Sequence, residues 1–139
     1  MRLNGRRHLT ATARQVCIAI CTALLFACSP EAQTIAPEDL NTYLEEGKAG
    51  RAFNLVDLRP QEDYAQLHVP GAINVPYERL GTDRLLFLDG LPVIFYDETR
   101  PDLERLTKAA GGRLPRNVVY LEGGFRGWRA ARFPVSNGA

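Results

Sequence analysis

The order of apolar and polar positions separates a leader from a region of short alternating elements. Pro37 opens a segment in which Leu40, Tyr43 and Leu44 recur at helical spacing, with Gly47 placed to close it. Phe53 to Asp57 is short and apolar, as a buried strand is, and Gln61 to Gln66 predicts a brief helix after it. Ile73 to Val75 predicts a second short strand between prolines, and Tyr77 to Leu88 one or two helical turns around Gly81. Val93 to Tyr96 predicts another buried strand. Asp102 to Ala110 predicts a helix with Leu103, Leu106 and Ala110 on one face and Gly111-Gly112 as its stop. Val118 to Leu121 predicts the last strand, followed by a helix from Phe125 to Ala130 whose Phe125 and Trp128 fall at i, i+3 and read as core. Strands alternating with short helices imply parallel pairing with helices on both faces, because parallel strands need crossover connections. In such sheets the carboxyl ends of the strands line the binding crevice. No internal repeat or low-complexity tract interrupts the pattern.

The leader changes the picture of where the chain works. Residues 1–27 carry Arg2, Arg6, Arg7 and Arg14, no acidic residue, and the apolar run Val16 to Ala27. A basic start and a short apolar core predict a secretory signal, since a membrane span needs about 20 apolar residues. The alternative is an uncleaved signal anchor. The run ends Leu25-Phe26-Ala27-Cys28, which resembles a bacterial lipobox. That resemblance implies lipidation of Cys28 and cleavage before it. The expected organisation is therefore a signal peptide at 1–27, a lipidated cysteine and polar tether at 28–36, and a folded domain at 37–137. Ser29 after the lipid cysteine resembles lipoproteins of the outer membrane, favouring that membrane over the inner one and a periplasm-facing domain.

Charge and cysteine content narrow the chemistry. Without the four leader arginines, 13 basic residues face 16 acidic ones, a formal −3. There is no basic patch and no run of like charge, so nucleic acid is not an expected partner. Cys17 and Cys21 lie in the apolar run, so the chain from Ser29 onward holds no cysteine. It can form no disulfide and offers no thiol nucleophile. No phosphate-binding glycine loop and no clustered metal ligands are present. No cofactor or metal is expected.

Three segments stand in a fixed order: Leu55-Val56-Asp57-Leu58-Arg59-Pro60, His68-Val69-Pro70-Gly71-Ala72, and Val118-Val119-Tyr120-Leu121-Glu122-Gly123-Gly124-Phe125-Arg126-Gly127-Trp128. Together they resemble the rhodanese-like (sulfurtransferase) family over roughly Pro37 to Val135. The resemblance implies a single α/β domain with a mostly parallel central sheet and helices on both faces. It also implies structural roles for Asp57, Arg59, His68 and the turn glycine Gly71, with Asp57 and Arg59 bridging a strand end to neighbouring loops. Family chemistry passes a sulfane sulfur through a cysteine persulfide, in a loop whose backbone N–H groups surround the sulfur and whose next helix lowers the thiol pKa.

At the position where that family carries its cysteine, this chain has Asp97, followed by Glu98, Thr99 and Arg100. A carboxylate cannot hold a sulfane sulfur as a thiolate does. The loop is also shorter than the family's and contains Pro101, which has no N–H. Asp97 has two readings: its carboxylate accepts N–H bonds from the start of the following helix, or Asp97, Glu98 and Arg100 form a polar recognition edge on a retained crevice. The expected function is a lipid-anchored, non-catalytic binding or regulatory module in the cell envelope, attached to the membrane through Cys28 and serving an envelope protein partner. The alternatives are an enzyme acting on a small anion or sulfur compound in the crevice, and a sulfurtransferase-related activity that uses no cysteine persulfide.

Overall fold

The sheet has five strands in the order β1-β5-β4-β2-β3, every neighbouring pair parallel. This is a computed structural model describing residues 33–82, 90–112, 114 and 118–138. In chain order the elements are β1 (Gln33–Ile35), α1 (Pro37–Glu45), β2 (Asn54–Asp57), α2 (Gln61–Gln66), β3 (Ile73–Asn74), a 3₁₀ turn (Tyr77–Arg79), β4 (Val93–Tyr96), α3 (Leu103–Ala109), β5 (Val118–Leu121) and α4 (Gly124–Ala130). The expected leader, its lipobox and Cys28 lie outside the described residues. So does most of the ambiguous stretch after Thr82.

Alternation along each strand sends successive side chains to opposite faces. Leu55, Ile94, Tyr96 and Leu121 pack with Leu40 of α1 and with Phe125 and Trp128 of α4, while Val56, Val93, Phe95 and Tyr120 pack with Leu106 of α3 and with Tyr77 and Leu80. The central strands are buried along their whole length, β4 as an unbroken apolar run and β2 with the polar Asn54 and Asp57 at its two ends. Burying one such side chain is worth about 1.5–3 kcal/mol. Trp128 is fully enclosed and its indole N–H donates to the Pro134 carbonyl at 2.8 Å. The ring therefore buries its apolar body without stranding its one donor.

The tether expected through Ala36 needs correcting. Gln33–Ile35 is not a free linker but an edge strand, with Gln33 opposite Val119 and Ile35 opposite Leu121. Thr34 Oγ1 also donates to Glu122 at 2.8 Å. Three residues give too short a periodic signal to be recognised, and the pairing partner lies far along the chain. Among the described residues, paired structure accordingly starts before Pro37, at Gln33. Among the described residues no helix is long and apolar enough to cross a membrane.

Register positions the site. Asp57 lies beside Tyr96 on one side and Asn74 on the other, and the Leu58 N–H continues the ladder to the Tyr96 carbonyl. The residues that follow β2 and β4, Arg59 and Asp97-Glu98, therefore leave the sheet side by side at its carboxyl edge. Phe95 lies beside Tyr120, so the turn after β5 reaches the same edge.

Candidate functional site at the carboxyl edge of the sheet

Arg59 organises the edge. Its side chain is only 4% exposed, and a buried charge needs close partners. Nε and Nη2 donate to the Asp57 carboxylate at 2.7–3.2 Å, the Arg59 N–H donates to Asp57 Oδ1 at 2.9 Å, and Nη2 also donates to the Leu67 carbonyl at 2.7 Å. The guanidinium stacks 3.8 Å over the Phe125 ring. Burial would lower the Arg59 pKa, but hydrogen bonding and charge from Asp57 outweigh it and the pKa is raised. Asp57 and Arg59 thus join the end of β2 to the segment after α2.

Asp97 stands at the end of β4 but does not cap the next helix. That expectation is corrected: Asp102 is the cap of α3, its Oδ1 accepting from the Glu104 and Arg105 N–H groups at 3.0 and 3.1 Å. Four residues separate Asp97 from Asp102, and only a residue directly preceding the first helical turn can reach its donors. Asp97 instead accepts from the Tyr77 hydroxyl at 3.0 Å and from the Glu98 N–H at 2.7 Å. Burial, followed by the charge of Asp97, raises the Tyr77 pKa, so the phenol stays protonated and donates.

The loop from Asp97 to Thr99 is pressed against the start of α4. The Asp97 carbonyl accepts from the Phe125 N–H and the Glu98 carbonyl from the Arg126 N–H, both at 2.9 Å. A Cβ on Gly124, which has φ +59°, would lie 2.0 Å from the Thr99 carbonyl oxygen and 2.6 Å from that of Asp97. Only glycine permits this approach. The Glu98, Phe125 and Arg126 N–H groups at this edge are therefore bonded to the protein's own carboxylate and carbonyl oxygens.

A crevice of about 520 Å³ remains open in front of this loop, lined by Arg59, Asp63, Gln66, Asp97, Glu98 and Arg129 over a floor that includes Leu67 and Phe125. Glu98 sits loosely between Arg59 Nη1 at 3.7 Å and Arg126 at 3.8 Å. The recognition edge expected from Asp97, Glu98 and Arg100 forms only in part. Arg100 and Thr99 do not line the crevice among the described residues, and Arg100 instead acts on Tyr120, whose pKa is raised by burial and lowered by that arginine.

His68 and Gly71 lie away from the crevice lining. His68 stacks on Tyr64 with ring centroids 3.8 Å apart, its Nδ1 lies 2.8 Å from the Tyr64 carbonyl, and its backbone pairs with Ser136. Gly71 has φ +78°, and a Cβ there would approach Ala49 at 3.2 Å. Tyr77, Asp63 and Arg129 were not anticipated at the site. Nothing in the local pattern around Tyr77 marks it, while Asp63 and Arg129 look like ordinary solvent-facing helix charges. Among the described residues no group of histidine, cysteine or carboxylate side chains is gathered for a metal.

Comparison with known proteins agrees with this architecture. The family model for the rhodanese-like domain matches residues 36–131. An HTH-type transcriptional regulator of Mycobacterium tuberculosis is 40% identical over 113 residues, 75% of this chain and 47% of that protein. The chain spans about half the length of the curated relatives it matches. Among solved structures, a protein of Bacillus halodurans superimposes with a TM-score of 0.63 at 22% identity, covering 91% of this chain and 87% of that one, a likeness of fold alone. A thiosulfate sulfurtransferase of Pseudomonas aeruginosa superimposes with a TM-score of 0.57 at 26% identity, covering 80% of this chain and 20% of that one.

Proposed function

The chain belongs to the rhodanese-like domain family, and from that premise we propose that it is a member without sulfur transfer, acting as a binding or regulatory module. The observation that carries this reading is Asp97 at the end of β4, with the neighbouring N–H groups of α4 bonded to the loop's own carbonyls. A persulfide needs a thiolate, and residues 29–139 contain none. The open crevice supports binding, because the edge of the sheet that lines ligand sites in such folds has stayed accessible. The mycobacterial relative is a regulator by name, which also supports a role other than sulfur transfer.

The module is held in the cell envelope through lipid on Cys28, facing the periplasm, with an envelope protein as its partner. The lipobox-like Leu25-Phe26-Ala27-Cys28 supports this part. Metabolic labelling with an alkyne fatty acid tests it: label is expected on the wild type and absent from Cys28→Ser, and equal labelling of both overturns it. Catalytic status is tested by assaying the full chain with thiosulfate and cyanide. No turnover above a boiled control is expected; turnover above that control sinks the proposal.

The open crevice also favours a second reading, an enzyme acting on a small anion or sulfur compound there. Its weakness is that the Glu98, Phe125 and Arg126 N–H groups, which such chemistry would use as convergent donors, are bonded internally.

A further inference from the structure

Resting on the lipid-anchored reading above, we infer that the amino end of the sheet sits on the bilayer surface, where an apolar groove beside β1 takes an acyl chain of a membrane lipid. The groove, of about 320 Å³, is walled by Ile35, Phe53, Ile94 and Val119 under a rim of Tyr43 and Lys48. It lies on the face of the sheet covered by α1, whose last turn supplies Tyr43. Among the described residues only Tyr43 and Lys48 bring polar side-chain atoms to it. An anion or a peptide backbone would leave its polar groups unmatched there, whereas a hydrocarbon tail has none to match. Tyr43 is 40% exposed, and the Lys48 ammonium stands 4.5 Å from its ring and pairs with Glu46, so both residues keep their polar heads at the surface. A tyrosine and a lysine rimming an apolar cleft in this way suit the boundary between headgroups and acyl chains.

The path of the chain selects this occupant. Every neighbouring pair of strands is parallel, so the amino ends of β1, β5, β4 and β2 lie together and the crevice with Arg59 and Asp97 lies at the opposite end. Gln33 begins β1 opposite Val119, a wall of the groove, and alternation puts Gln33 on the same face as Ile35. The chain therefore enters the domain beside the groove. Cys28 stands five residues before Gln33, which allows a reach of at most about 18 Å. So short a link to a lipid-bearing cysteine holds the groove end, rather than the crevice end, next to the bilayer. A protein ligand has no such reason to be found there. The same orientation turns the crevice away from the membrane, where a periplasmic partner can reach it.

The test uses the protein purified from membranes, methyl-labelled at isoleucine, leucine and valine, in phosphatidylcholine bicelles with and without a phosphatidylcholine spin-labelled near the top of one acyl chain. The methyl signals of Ile35, Ile94 and Val119 are expected to lose at least about half of their intensity to the spin label, while those of Leu67 and Val75 at the carboxyl end keep theirs. Tyr43→Asp and Ala52→Asp, which place a charge at the groove, should each reduce that loss at least about twofold. Tyr43 packs on Phe53, but Ala52 is a small exposed residue, so the second variant reads the groove without threatening the fold. Unchanged signals at the groove, equal loss at Leu67 and Val75, or an undiminished loss in Ala52→Asp overturns the inference. With Cys28 labelled by the alkyne fatty acid, such a result sinks the docking alone; an unlabelled Cys28 sinks the anchoring reading, in its own assay.

Discussion

Replacing Gly124 with alanine should unfasten the loop at Asp97 from helix α4. The added Cβ would sit 2.0 Å from the Thr99 carbonyl oxygen and 2.6 Å from that of Asp97, both backbone atoms that cannot swing aside. At φ +59° an L-residue also carries left-handed strain of about 1–2 kcal/mol. Relieving the overlap means moving the loop, which breaks the bonds from the Phe125 and Arg126 N–H groups, each worth about 0.5–1.5 kcal/mol net. The expected loss is about 2–5 kcal/mol, a large share of a small domain's stability. Gly47→Ala is the matched control: φ is +67° there, but nothing lies within 4 Å of the new Cβ, so backbone strain alone applies. Urea unfolding of both variants, followed by far-UV circular dichroism, separates the two contributions. A Gly124→Ala loss no larger than that of Gly47→Ala would refute the tight loop-to-helix packing, and with it the argument that these donors are consumed.

Asp97→Cys should restore little sulfur transfer, because the Phe125 and Arg126 N–H groups stay on their carbonyl partners; with thiosulfate and cyanide its rate should fall at least about a hundredfold below that of a cysteine-bearing rhodanese assayed alongside. Comparable rates would count against the donor argument. Asp57→Asn leaves the buried Arg59 charge under-compensated and should cost about 3–5 kcal/mol in urea unfolding, with the double replacement Asp57→Leu, Arg59→Met losing less; a loss under about 1 kcal/mol for the single variant contradicts the role given to the pair. Tyr96 and Tyr77 both have raised pKa values, first from burial and then from Asp57 and Asp97 respectively. A raised folded-state pKa means that the unfolded chain releases its proton first, so stability should hold up to about pH 10 and fall above it, with a shallower fall in Tyr96→Phe. Unfolding titrations between about pH 8 and 11.5 check this, and a flat profile to about pH 11 contradicts it.

The strands and helices with strong periodicity were legible in the sequence. Gln61 to Gln66 is a helix with the expected bounds, and Val93 to Tyr96 and Val118 to Leu121 are strands. The two strands could be read because a parallel sheet covered on both faces demands continuous apolar runs. Strand β1 was not legible: its three residues are mostly exposed and gain their identity from Val119 to Leu121, some 86 residues away. The position of Asp97 at a strand end was also readable, but its partners were not. The cap reading of Asp97 fails because Asp102 satisfies the pattern, immediately before Leu103, and the Tyr77 hydroxyl arrives across the fold from a 3₁₀ turn. Long-range pairings of this kind have no local signature. Gly123-Gly124 permits a close backbone turn, yet what it approaches, the Thr99 carbonyl, emerges only from the register of β4 and β5.

Incubation of the full chain with thiosulfate, followed by protease mapping and mass spectrometry under non-reducing conditions, tests the loss of sulfur transfer most directly. The account predicts no peptide from residues 29–139 that gains a sulfur atom, since that stretch holds no thiol. A peptide containing Asp97, or any other from that stretch, that carries a covalent sulfur releasable by cyanide would contradict it.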